Sequence, residues 1–123
     1  MEYQFIRDPL FGIRCKMTEE HTLLGRWLSD EIGPERVAEV VKWIELVEHE
    51  PQTLVDMGSE IRLTLTRQEA LLEAHALFMD DESLLDAYRD DQLEFDEEGL
   101  VAVCGFEDFK ALIHDFSEFI SKR

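Results

Sequence analysis

The chain has 123 residues, of which 29 are acidic and 12 basic, giving a formal net charge of −17 at pH 7. Such a charge repels nucleic-acid phosphates and anionic lipid, and it attracts cations and basic proteins. We therefore expect neither nucleic acid nor a membrane as a partner. Because 45% of the residues are hydrophobic, there is enough apolar surface for one core, and we expect a single domain over residues 1–123.

The sequence also favours the cytoplasm. No run approaches the roughly 18 apolar residues that a membrane span requires. Residues 1–8 have neither the basic start nor the apolar centre of a signal peptide. The two cysteines, Cys15 and Cys104, form no CxxC motif. We expect buried reduced thiols, and a disulfide or a metal pair is the alternative.

Hydrophobic periodicity predicts the elements of the first half. Residues 2–7 and 13–17 alternate around an Asp-Pro-Leu-Phe-Gly turn, which is typical of a β-hairpin with one solvated face. Residues 21–28 are predicted to add a third antiparallel strand. A helix is predicted to open at Gly33-Pro34 and to end before Pro51. Its apolar stripe comprises Val37, Val40, Val41, Ile44 and Val47.

The second half alternates more clearly. After a predicted loop at 51–59, residues 60–67 alternate strictly and predict a strand. Residues 69–78 are ambiguous, because Ala, Leu and Glu favour a helix whereas the short connection Arg67-Gln68 favours a hairpin. Residues 100–104 predict a short strand that Gly105 ends.

The last element is predicted to be an amphipathic helix. Its apolar side chains are Phe106, Phe109, Leu112, Ile113, Phe116, Phe119 and Ile120. We expect Phe109, Ile113 and Phe116 to make the main contact with the sheet. The fold class is therefore α+β, a single domain in which two amphipathic helices pack on an antiparallel sheet of about five or six strands.

Three motifs carry a resemblance to a known family. They are the opening Glu2-Tyr3-Gln4-Phe5-Ile6-Arg7-Asp8, then Gly25-Arg26-Trp27, and Cys104-Gly105-Phe106-Glu107-Asp108-Phe109. The whole chain resembles the YacL-type family of uncharacterised small gammaproteobacterial proteins. The resemblance implies a strand at 69–78, although Gln68 stands where the family pattern has a turn glycine. It implies no activity, ligand or catalytic residue.

The most acidic part of the chain is the segment 80–98, which contains ten acids and one base. The acids are Asp80, Asp81, Glu82, Asp86, Asp90, Asp91, Glu94, Asp96, Glu97 and Glu98. Neither an EF-hand starting at Asp86 nor one starting at Asp90 fits, since Tyr88 and Phe95 occupy positions that need a ligand and a glycine. A solvated loop or short helix, a site for a basic protein and weak divalent binding remain open.

Other chemistry lacks a motif. The four histidines form no HExxH pattern, no serine lies in G-x-S-x-G, and the glycines form no nucleotide-binding loop. We therefore predict no catalytic residue, no metal ligand and no cofactor. The favoured function is a small acidic cytoplasmic protein that binds a basic protein partner. The alternative is a small enzyme or divalent-metal-binding domain whose site no motif reveals.

Overall fold

The computed structural model describes residues 1–75 and 100–121. Two antiparallel sheets are present, β1-β2 and β3-β4-β5-β6. The predicted α+β class with two amphipathic helices is confirmed, and the six strands of the described ranges are divided between these sheets. The elements in chain order are β1 (Tyr3–Asp8), β2 (Gly12–Met17), a 3₁₀ turn (Glu19–His21), α1 (Thr22–Arg26), a π-helical segment (Trp27–Ile32), α2 (Gly33–His49), β3 (Leu54–Met57), β4 (Ile61–Leu65), β5 (Glu69–Ala74), β6 (Val101–Gly105) and α3 (Phe106–Ser121).

The β1–β2 hairpin is held against helix α3 by aromatic packing. The Phe5 ring centroid lies 5.5 Å from that of Phe116 and 5.3 Å from that of Phe119. The Tyr3 hydroxyl donates a hydrogen bond to Asp115, and Arg7 Nη2 donates to the Phe119 carbonyl at 2.7 Å. The predicted hairpin is confirmed, and the contacts of its first strand hold the N-terminal hairpin against the C-terminal helix.

The prediction of a strand at 21–28 was wrong. This stretch forms the end of the 3₁₀ turn, all of α1 and the start of the π-helical segment. Its apolar residues Leu23, Leu24, Trp27 and Leu28 are spaced at i, i+1, i+4 and i+5, which is a helical period, and all four are buried. The helical spacing places these four side chains on one buried face, so the stretch is helical and adds no strand.

The segment from α1 onward packs tightly on strand β2. A Cβ at Gly25 would lie 2.9 Å from the Cys15 carbonyl oxygen and 3.0 Å from Met17 Cγ. Ser29 Oγ accepts a hydrogen bond from Cys15 N at 2.8 Å and lies 2.8 Å from the Gly25 carbonyl oxygen. A glycine and a serine therefore let the helical segment approach a strand edge and satisfy its backbone.

Helix α2 follows its predicted boundaries. Val37, Val40, Ile44 and Val47 are buried, and Pro34 lies in the first turn as expected. At the other end, Arg67 Nε donates to the Val47 carbonyl at 3.0 Å. This hydrogen bond satisfies a helix-end acceptor that has no partner within the helix.

The main core lies between the inner face of the four-stranded sheet and the helices. α1 and α3 pack on β5 and β6, and α2 packs on α3. Phe109, Ile113 and Phe116 are buried as predicted, and the Phe109 ring lies 5.9 Å from that of Trp27. The inner-face residues of the sheet are Ile61, Leu63, Leu65, Ala70, Leu72, Ala74, Ala102 and Cys104, all buried.

Strands β3 and β5 lie in the two regions that the sequence assigned least well. The predicted loop 51–59 contains strand β3, so that part of the prediction was wrong. Residues 69–74 are strand, as the hairpin and the family resemblance favoured, while 76–78 lie outside the described residues. The β4–β5 turn needs no glycine, because no described non-glycine residue has positive φ and Thr66 Oγ1 accepts hydrogen bonds from the backbone of Gln68 and Glu69, both at 3.2 Å.

Candidate interaction surface

The predicted acidic segment 80–98 lies outside the described residues, and so do all ten of its predicted binding residues. The structure does describe the residues on either side of this segment, where the chain leaves the four-stranded sheet and returns to it. Strand β5 ends just before His75, and Leu100 immediately precedes β6. These strands are antiparallel neighbours, with Glu73 opposite Val101. The acidic segment is therefore joined to the body of the protein at one end of the β5–β6 pair.

The outer face of the four-stranded sheet is largely apolar. Cross-strand pairing places Val55, Thr64, Leu71 and Val103 in one row, and Met57, Arg62, Glu73 and Val101 in the next. Val55, Met57 and Val103 are 52%, 62% and 46% exposed. The solvated face of an antiparallel sheet is ordinarily polar, so five apolar side chains here depart from that pattern.

One ion pair lies within this outer face. Arg62 Nη2 donates to Glu73 Oε1 at 2.8 Å, and the two side chains are 29% and 19% exposed. Glu69 lies on the same face beside Gly105 in the next row, at the end opposite to His75 and Leu100. The two rows therefore lie between Glu69 and the junctions with the acidic segment.

The edge of this sheet at β3 carries a charge that points inward. Asp56 lies on the inner side of β3, and its Oδ1 is 3.7 Å from Arg36 Nη2. Arg36 also donates to Glu39 at 2.9 Å, and this hydrogen bond is the main cause of the raised pKa of its guanidinium. An inward charge on an edge strand opposes the addition of another strand.

Most cations of the described ranges are already used within the fold. Five of the nine basic residues there are in ion pairs, namely Arg14 with Asp30, Arg26 with Glu60, Arg36 with Glu39 and Asp56, Arg62 with Glu73, and Lys110 with Glu48. Arg7 and Arg67 donate to backbone carbonyls. Few cations of the described body therefore remain to offset its excess of acids.

The cysteines are buried free thiols, as predicted. Burial raises the pKa of the Cys15 thiol to about 12, and burial, followed by the nearby Asp108 carboxylate, does the same for Cys104. A nucleophilic cysteine needs a lowered pKa and access to solvent. Neither thiol has these properties in this environment.

The histidines are dispersed over the described part of the chain. His21 is buried, and its Nδ1 makes no hydrogen bond and lies 4.0 Å from Glu20 Oε1. His49 and His114 are exposed. Among the described residues, no three His, Cys, Asp or Glu side chains are grouped as metal ligands would be. One groove of about 610 Å³ is lined by residues 1–4 and 16–18, which include no histidine.

Sequence reasoning missed two exposed apolar features. The outer face was missed because Leu54-Val55-Asp56-Met57 alternates poorly and its strand was assigned to a loop. The other is the hairpin tip, where Leu10 and Phe11 are 84% and 71% exposed. Asp8 Oδ1 accepts hydrogen bonds from both of their backbone N–H groups, at 2.7 and 3.1 Å. No periodic signal identifies either feature, since both lie where the alternation is interrupted.

Comparison with known proteins places the chain in a family. The family model described as "Uncharacterised protein family (UPF0231)" matches residues 1–120. A UPF0231 protein of Vibrio cholerae is 35% identical, covering 100% of this chain and 98% of the relative. One of Shewanella putrefaciens is 32% identical over 99% and 98%, and one of Erwinia tasmaniensis is 30% identical over the whole of both chains.

No solved structure matches the chain, and no helix in the described ranges is long and apolar enough to cross a membrane. The three motifs behind the family resemblance have structural roles here. Gly25 permits close packing on β2, Trp27 is fully buried, and Phe106 and Phe109 are buried in the first turns of α3. The resemblance to the YacL-type family is confirmed, and this chain belongs to the UPF0231 family of uncharacterised small gammaproteobacterial proteins.

Proposed function

We propose that this chain is a small acidic interaction protein of the cytoplasm, and that its segment 80–98 binds a basic surface of a partner protein. The observation that carries the proposal is a charge imbalance. Ten acids and one base are concentrated in 19 residues, and seven of the nine basic residues of the described body are in ion pairs or donate to backbone carbonyls. Clustered like charges repel each other, and a cationic partner relieves that repulsion.

Charge also predicts how such a complex forms. Complementary fields speed the encounter of two proteins and weaken as salt screens them. The complex should therefore associate quickly at low ionic strength. It should weaken at high salt more steeply than a complex held by apolar contact alone.

The test is affinity capture from lysate at low and high salt with a variant in which Asp86, Asp90, Asp91 and Glu94 become Asn or Gln. We expect this variant to lose the captured basic proteins. A matched control, with Glu2, Glu35, Glu45 and Glu50 changed to Gln, removes the same charge from exposed sites in the described body and should retain them. If both variants capture the same proteins with the same salt sensitivity as the unaltered chain, the proposal is wrong.

The same reasoning predicts no affinity for nucleic acid. Binding to a phosphate backbone requires Lys and Arg to displace counterions, and the chain carries a net charge of −17. Fluorescence polarisation with labelled single- and double-stranded oligonucleotides at physiological salt should show no binding. A micromolar dissociation constant would contradict the electrostatic argument.

A further inference from the structure

We propose that the outer face of the four-stranded sheet binds one amphipathic helix of a basic partner protein, with the apolar stripe of that helix on Val55, Leu71 and Val103. The inference rests on the proposed function, because it assigns the partner's apolar contact. The outer face would add an apolar contact to a complex whose other contacts are electrostatic.

The first support is the composition of the face. Half-buried Leu71 lies directly beside exposed Val103, and exposed Val55 lies in the same row on the far side of Thr64. The matching inner face is covered by α1 and α3, whereas no described element covers the outer one. Exposed apolar side chains grouped on one face of a soluble protein commonly mark an interaction site.

The second support is the size of the face. Three strand spacings separate β3 from β6, a width of about 14 Å. One α-helix with its side chains is about 10–12 Å across. A single helix therefore fits within the width of the sheet.

Charge selects the kind of helix. The two rows lie between Glu69 at one end and the junctions to the acidic segment at the other. A helix with Lys or Arg beside its apolar stripe gains attraction from Glu69 and, under the proposed function, from the acidic segment. A second copy of this chain would instead bring a further net charge of −17 to the contact, which would be repulsive. The addition of a partner strand at β3 is opposed by the inward Asp56.

The experiment uses two synthetic 18-residue peptides of Leu and Lys with identical composition. In one the leucines form a helical stripe, and in the other they are scrambled. We expect the striped peptide to bind the intact protein at least tenfold more tightly at high salt. Its methyl chemical-shift changes should centre on Val55, Leu71 and Val103.

A variant of the face provides the decisive comparison. Val55→Thr, Met57→Gln and Val103→Thr together should remove the preference for the striped peptide and leave the affinity for the scrambled one within twofold. The control variant carries Leu10→Gln and Leu46→Gln, which alter apolar residues exposed elsewhere. It should keep the preference.

Several results would overturn the inference. One is equal affinity for the two peptides in the unaltered protein; a steep salt dependence would then leave the proposed function standing. Shift changes confined to the hairpin tip would also overturn it. So would methyl contacts showing the face covered by residues 76–99, or by a second copy in a dimer detected by sedimentation.

Discussion

The inner and outer faces of the four-stranded sheet come from alternate residues of the same strands. Inside, Leu63, Leu65 and Leu72 are fully buried; outside, Val55, Met57 and Val103 are about half exposed or more. Both faces carry apolar side chains, but only the inner one is covered by the helices that the described chain supplies. The difference separates the apolar residues that fold the protein from those that remain available for contact.

The largest expected effect is on the helix that covers the inner face. Phe116→Ala should lower the free energy of unfolding by about 3–5 kcal/mol, because it leaves a cavity in a packed core. That is a large part of a typical total of about 5–15 kcal/mol. Urea denaturation measures it, and Phe11→Ala at the exposed hairpin tip is the control. A loss below about 0.5 kcal/mol, the range of ordinary surface substitutions, would mean that α3 does not pack as described.

A smaller effect is expected where α1 meets the hairpin. Gly25→Ala should cost about 1–3 kcal/mol through overpacking, since its Cβ would meet a backbone carbonyl at 2.9 Å. Gly105→Ala is the matched control, because a Cβ there has no neighbour within 4 Å. Thermal unfolding should separate the two variants clearly. Equal melting temperatures would contradict the close contact between α1 and β2.

The sequence predicted the elements that have a single apolar face and missed those whose apolar residues follow no single period. The two helices and strand β4 were predicted because each presents one strong period toward one core. Residues 21–28 were misassigned because the helical i, i+4 spacing of Leu24 and Leu28 was not recognised. Strand β3 was missed because Leu54 and Val55 are both apolar, although one faces inward and the other outward. A strand with two apolar faces has no period of two, so the outer face could not be found from alternation.

The reactivity of a thiol at position 103 or 104 reports how accessible the outer and inner faces of strand β6 are. Cys104 points inward and is buried, whereas Val103 points outward. In the native protein at pH 8, Val103→Cys should add one thiol that reacts rapidly with a disulfide reagent. Cys104 should react only after unfolding, because its raised pKa and its burial remove both thiolate and access. Fast reaction of Cys104 in the unaltered native chain would contradict the assignment of the faces.

The same thiols predict a loss of stability at alkaline pH. Their pKa values are about 12 in the folded protein, raised from 9.0 by burial. A raised folded pKa favours the native state fully below the unfolded value and progressively less above it. The urea midpoint should therefore fall as pH rises from 9 toward 12. The urea midpoint of the combined Cys15→Ala and Cys104→Ala variant should fall less over this pH range. An equal fall would assign the effect to other groups. The first of these to test is Tyr3, whose pKa is raised to about 12 by burial and by its hydrogen bond to Asp115.

The smallest expected effect is on the stability of the isolated protein when the outer face is made polar. Val103→Thr keeps the β-branched shape that suits a strand and removes an apolar surface that is already half exposed. Its free energy of unfolding should change by no more than about 0.5 kcal/mol, as urea denaturation would show. Leu72→Ala on the inner face of the neighbouring strand should cost about 2–5 kcal/mol. If Val103→Thr instead cost as much as Leu72→Ala, Val103 would be packed inside the folded protein, and the outer face would belong to the core rather than to a partner.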